Sequence, residues 1–185
     1  MLLPFVAVDL KFREKKMKLR AIPVSSMLFA TLLLGACAST PPAPGAGAQV
    51  DARSGSTVSG NVTFSDLGGA VQVNAQFAGL TPGEHGFHVH EAGDCSAADA
   101  SSAKGHYNPA GQRHGHHDSK VRHGGDMPNL VANAQGDARL SAELKDLTVS
   151  ELVGRSVVVH ADPDDYMSQP AGNSGKRIAC GVIAA

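Results

Sequence analysis

Past residue 50 the apolar and polar positions alternate in short runs, each closed by turn-forming residues. Ser56–Phe64 (STVSGNVTF) and Ala70–Phe77 (AVQVNAQF) flank Ser65-Asp66-Leu67-Gly68-Gly69, which predicts a hairpin. Gly86–His90 is a third alternating run. Asn129–Ala134, Asp137–Glu143, Arg155–His160 and Arg177–Ile183 follow, with Gln135-Gly136 and Asp162-Pro163 as turns. No stretch in this region repeats its apolar residues at long helical spacing. Alternation buries one face of each run, so several short strands with little helix predict an antiparallel barrel or sandwich. Residues 91–128 and 162–176 break the pattern. Loops longer than about 12–15 residues are uncommon in a compact domain unless functional or disordered. The strands therefore read as the frame and the two loops as the working part.

The first fifty residues have a different texture. Residues 1–10 are apolar, residues 11–20 (KFREKKMKLR) are basic, and Ala21–Ala36 is weakly polar. A basic segment, a short apolar segment and small residues before a cleavage point form an export signal. At 16 residues the apolar run falls short of the roughly 20 needed to span a membrane. Leu34-Gly35-Ala36-Cys37 resembles a bacterial lipobox, which makes Cys37 a candidate for lipidation. Met17, followed by Lys18 and Arg20, is a more usual signal start, leaving residues 1–16 as a candidate over-extended beginning. Residues 37–49, small and rich in proline and glycine after the cysteine, read as an anchor and flexible tether, with the folded domain at 50–185.

Removing the signal changes the charge picture. The whole chain carries −1, but residues 37–185 hold 10 Lys+Arg against 15 Asp+Glu, a net −5. An acidic domain without a basic run argues against nucleic acid as a partner. Apart from Cys37 there are two cysteines, Cys95 and Cys180, and in an exported protein a disulfide is the default reading. Closing that 85-residue separation stabilises the fold by roughly 4–5 kcal/mol in the chain-entropy model.

All nine histidines lie beyond residue 84. His88 and His90 are two apart on a predicted strand and share a face, so both can bind one metal from a rigid element. His160 ends another strand. The first long loop offers His106, His114, His123 and Asp126, the last two spaced to bring a carboxylate beside an imidazole. Imidazole suits copper and zinc, and one carboxylate among histidines is a common zinc set.

The segments HGFHVH, GHYNP, RHGGD, VVVH and GNSGKRIACGVI resemble the copper/zinc superoxide dismutases, in their exported bacterial form, over about residues 50–185. The resemblance implies an eight-stranded antiparallel Greek-key barrel, a sandwich architecture of immunoglobulin-like type of which that family is itself a standard case. It implies one copper ion at His88, His90, His106 and His160, and one zinc ion at His106, His114, His123 and Asp126. His106 then bridges the metals and carries a proton, Arg177 guides the anion at copper, and Asp164 links His88 to His114. Cys95 and Cys180 match the family's disulfide pair. The implied reaction is disproportionation of superoxide in the periplasm, with the membrane reached only through a lipid on Cys37. A homodimer is left open. A rival class is a non-catalytic copper/zinc buffer or donor on the same fold, against which Arg177 argues, because storage needs no anion guide. Lys104, Lys120 and Lys176 are candidate contributors to substrate steering, for which this family is a known case. His85 is expected to pack or hydrogen-bond. His116 and His117 are either solvated loop residues or a weak accessory metal-capture site.

Overall fold

The computed structural model describes residues 45–185; Cys37 and the signal segment lie outside the described residues. Nine strands follow in order: β1 Ala46–Ala52, β2 Ser59–Asp66, β3 Ala70–Ala78, β4 Gly83–His85, β5 Phe87–His90, β6 Leu130–Ala132, β7 Ala138–Lys145, β8 Ser156–His160 and β9 Arg177–Val182. One helical turn, α1 Val149–Leu152, precedes β8. The alternation does what it predicts. In β3, Val71, Val73, Ala75 and Phe77 enter the core while Gln72, Asn74 and Gln76 face outward.

The strands hydrogen-bond in the order β4-β6-β7-β3-β2-β1-β9-β8-β5, all antiparallel. The two ends of that order, β4 and β5, are consecutive in the chain and separated only by Gly86, so the sheet curls into a nearly closed barrel. Counting β4 and β5 as one strand broken at Gly86 gives the eight strands expected. The chain leaving β3 passes over β7 and β6 to reach β4, which is a Greek-key connection.

One expectation is corrected. The folded domain starts before residue 50, because β1 occupies Ala46–Ala52 and its first four residues fall in the segment read as tether. Ala46, Ala48 and Val50 alternate into the core, and β1 pairs with β2 through its first half and with β9 through Asp51 and Ala52. Its small residues suit a crowded barrel corner. Gly181 on β9 shows how close: a Cβ there would collide with the Gln49 carbonyl.

The wall that matters is β5–β8–β9. Every residue of β5 and β8 is buried, so these strands are covered on both faces. Phe87, Val89, Val157 and Val159 point to the main core. On the outer face Val158 and Cys180 pack with Ala100 and Ala103 of the first long loop. The Cys95–Cys180 disulfide fastens that loop to β9. Arg53 adds Nε to the Cys95 carbonyl at 2.9 Å, and the Ser54 amide donates to the Ala98 carbonyl at 2.8 Å. The same long loop pairs its backbone with β5: Tyr107 N donates to Val89 O at 2.8 Å and Val89 N to Gly125 O at 2.9 Å.

Gly86 holds the junction of β4 and β5 because nothing larger fits. A Cβ there would sit 2.7 Å from Ser174 Oγ and 3.2 Å from His88 Cε1. Gly86→Ala is expected to destabilise the protein by about 1–3 kcal/mol, the usual cost of overpacking, read as a lower urea midpoint without change in slope.

Candidate metal centre

Because Phe87 and Val89 face the core, His88 and His90 face outward beneath the loops; His160, next to inward-facing Val159, joins them. The long loop brings His106 opposite His90 and Asp126 opposite His88 in isolated backbone bridges. Two buried groups result. His88, His90, His106 and His160 form one, His106, His114, His123 and Asp126 the other, each with its donor atoms within 4.8 Å of one another. The predicted residues are thus brought together, with His106 common to both.

Each ring in the first group has one nitrogen tied down and one turned inward. His88 Nε2 meets Asp164 Oδ2 at 2.9 Å, and its Nδ1 is buried without a partner. His90 Nδ1 donates to the Lys104 carbonyl at 2.9 Å, leaving Nε2 3.4 Å from His160 Nε2. His160 Nδ1 lies 3.4 Å from the Gly175 carbonyl. His106 directs Nδ1 to Asp126 Oδ1 at 2.9 Å, and its Nε2 is buried and unpartnered.

In the second group three ring nitrogens crowd one oxygen. His106, His114 and His123 place Nδ1 at 2.9, 3.0 and 3.3 Å from Asp126 Oδ1. The other oxygen, Oδ2, accepts the His123 and Gly115 amides at 2.9 and 3.1 Å, which fixes the carboxylate. His114 Nε2 meets Asp164 Oδ1 at 2.9 Å, so Asp164 joins the two groups as expected. Buried nitrogens left without partners are costly. A cation bound by their lone pairs resolves that cost, and three imidazoles with one carboxylate suit tetrahedral zinc.

Residues 58–183 match the family model described as copper/zinc superoxide dismutase (SODC). The chain belongs to the copper/zinc superoxide dismutase family. It is 41% identical over 135 residues to superoxide dismutase [Cu-Zn] 2 of Aquifex aeolicus (strain VF5), covering 68% of this chain and 79% of that one. It is 43% identical over 136 residues to the superoxide dismutase [Cu-Zn] of Paramecium bursaria Chlorella virus 1, covering 68% and 72% respectively. Among solved structures, the clock protein EA4 superposes with a TM-score of 0.69 at 36% identity, over 78% of this chain and 97% of that one. Family membership carries an oxidoreductase activity, superoxide disproportionation, and the two metals copper and zinc.

Two contributors to this site, Asn129 and Gly172, carry no sequence signal. Asn129 brackets Asp164, accepting its amide at 2.9 Å and donating to its carbonyl at 3.0 Å. Gly172, at φ +63°, lies against Asp164 so closely that any Cβ would collide with the carboxylate. Arg177 donates Nη1 to the Ala100 carbonyl at 2.7 Å. It lines a cleft of about 310 Å³ with His90, His106, His160, Pro170 and Ala171. Lys176 lies beside Arg177 at a neighbouring depression, whereas Lys120 lines a different one with Lys145; Lys104 contributes its carbonyl to His90. His85 is buried, with Nδ1 2.9 Å from the His160 carbonyl and Nε2 2.8 Å from the Thr81 carbonyl.

Burial sets the protonation of the rings. It pushes His90 and His160 well below the ordinary imidazole value and, with the neighbouring His88, lowers His106 to about 4. Burial acts the same way on His114, but bonds to Asp126 and Asp164 outweigh it and raise that ring to about 9. Burial opposes ionisation of Asp126, yet its three histidine partners hold the carboxyl far below the carboxylate range. In the metal-free protein, then, His114 below about pH 9 is an imidazolium clasped between two carboxylates. A metal at its Nδ1 must displace that proton. Zinc binding near neutral pH is expected to release a proton that is no longer released above about pH 9, read by calorimetry in buffers of different protonation heat.

Proposed function

We propose that copper is held by His88, His90, His106 and His160 and zinc by His106, His114, His123 and Asp126, in an exported enzyme that removes superoxide outside the cytoplasm. The observation that carries this reading is the bifacial placement of His106. Its Nδ1 joins the Asp126 group and its unpartnered Nε2 turns away from it. Every residue of both sets comes from one chain, so a single subunit suffices for the site whether or not a homodimer forms.

When bound, copper supplies a one-electron redox couple, and zinc, which has none, supplies charge and geometry. Two superoxide anions and two protons give one dioxygen and one hydrogen peroxide. The residues do the rest. Arg177 is always charged, and the forked geometry of a guanidinium suits an anion in the cleft it lines. The bond to Ala100 O fixes one arm of that fork. In a domain of net charge −5, such a cation focuses positive potential at the mouth. His106 Nε2, buried and without a hydrogen-bond partner, is the nitrogen placed to take up a proton and return it. Asp164 holds His88 and His114 in one orientation by their Nε2 atoms, leaving His88 Nδ1 without a partner and His114 Nδ1 turned to Asp126 Oδ1 at 3.0 Å. A metal buffer has no use for the arginine.

The export proposal rests on the signal pattern and lipobox of residues 1–37, and it agrees with a disulfide formed between Cys95 and Cys180. Anchoring through Cys37 accounts for the membrane without any spanning element. In stopped-flow measurement of superoxide decay, protein carrying copper and zinc is expected to be fast and the zinc-only form inactive. Arg177→Ala should lower the rate by about tenfold or more, the range of electrostatic steering, with metal content unchanged. Equal rates for the copper-loaded and zinc-only forms would sink the catalytic reading. Cys37→Ser is expected to move the protein from the membrane fraction to the soluble extracytoplasmic fraction; retention at the membrane would reject the lipid anchor.

A further inference from the structure

Among the described residues one more group of potential ligands lies outside the two sets. It comprises His116, His117 and Asp118, with donor atoms within 4.8 Å of one another. They sit on the loop between His114 and His123, and nothing in superoxide chemistry uses them. A histidine pair on an exposed loop is ordinarily just hydrated. Here the rings are held. His116 and His117 lie 4.0 Å apart between centroids, and Tyr166 closes on His116 at 4.6 Å.

The hydrogen bonding orients the lone pairs. The Asp118 amide can only donate, and it points to His116 Nδ1 at 3.2 Å. That nitrogen is therefore unprotonated, with its lone pair turned into the same bend as the Asp118 carboxylate. His117 Nε2 lies 3.4 Å from Asp118 Oδ2, and its Nδ1 is shut off from water without a partner. Two imidazoles and a carboxylate are a donor set for Cu(II) or Zn(II), with Cu(II) the tighter of the two.

We propose that His116, His117 and Asp118 form an accessory capture site for a divalent cation of the copper/zinc type, on the loop that bears the zinc ligands. A cation bound there gives up little. It replaces the Lys145 ammonium, 3.9 Å from Asp118 Oδ1 with both groups mostly exposed, a pair of small worth. It also takes the His116 lone pair from a long amide hydrogen bond. Held two residues from His114, the captured cation has a raised effective concentration beside the resident sites. The inference rests on the two-site reading only in counting this site as additional.

The test is titration of Cu(II) into protein already carrying copper and zinc, followed by metal analysis after dialysis and by electron paramagnetic resonance. Wild-type protein is expected to take up one equivalent beyond the resident metals, with a nitrogen-coordinated signal distinct from resident copper. The His116→Ala/His117→Ala double variant should lose that equivalent, and so should the milder His117→Gln. Extra uptake by all three proteins, or by none, overturns the proposal. The readout is the difference between proteins, so a shortfall of resident metal, which would count against the two-site reading, does not mask it. With limiting metal, the metal-free wild type should fill its resident sites several-fold faster than the double variant. Equal filling rates would overturn the capture role.

Discussion

The organising constraint is that six imidazoles and two carboxylates share one dry volume and must satisfy each other there. Away from water each polar nitrogen needs a partner, and the protein supplies only part of the requirement. Asp164 takes one nitrogen each from His88 and His114; the Lys104 and Gly175 carbonyls take one each from His90 and His160. Asp126 Oδ1 gathers Nδ1 of His106, His114 and His123, while His88 Nδ1 and His106 Nε2 are left without a hydrogen-bond partner. Ring orientation and tautomer are thereby set by the protein alone, before any metal is considered, and the protein's own shortage of partners defines the two sites.

The fold serves that constraint through division of labour. A barrel wall with period-two alternation puts Phe87 and Val89 in the core and histidines outside it, so the site is built on the barrel's outer surface. The loops then bury what the wall exposes. Their own rigidity comes from fastenings to the wall, the Cys95–Cys180 bond first, then Arg53, Ser54 and the Arg177–Ala100 contact. Residues far apart in sequence are held by short hydrogen bonds to backbone carbonyls, which is how irregular loops acquire a single shape.

What the sequence disclosed follows from this division. The strand bearing His88 and His90 was legible through its alternation, the one bearing His160 as a short apolar run, and the loop histidines through their spacing. Asp164 was found by the motif it matched. By contrast β1 was missed because Ala46, Gly47 and Ala48 look like linker; only their partners across the barrel corner make them a strand. The carbonyls of Lys104, Gly175 and Ala100 were invisible, since every residue has one and only the fold says which is used. Asn129 and Gly172 were equally silent. An asparagine bracketing a backbone and a glycine making room for a carboxylate look no different in sequence from any turn residue.

The backbone pairing of the long loop onto β5 has a further consequence. In the strand order β5 is terminal, bonded along one side to β8 alone. Its other side is met by Tyr107 and Gly125, next to His106 and Asp126. The strand edge that most needs protection from pairing with foreign chains is thus guarded by the very segment that carries His106 and Asp126. Covering that edge and placing the two side chains draw on the same few peptide groups.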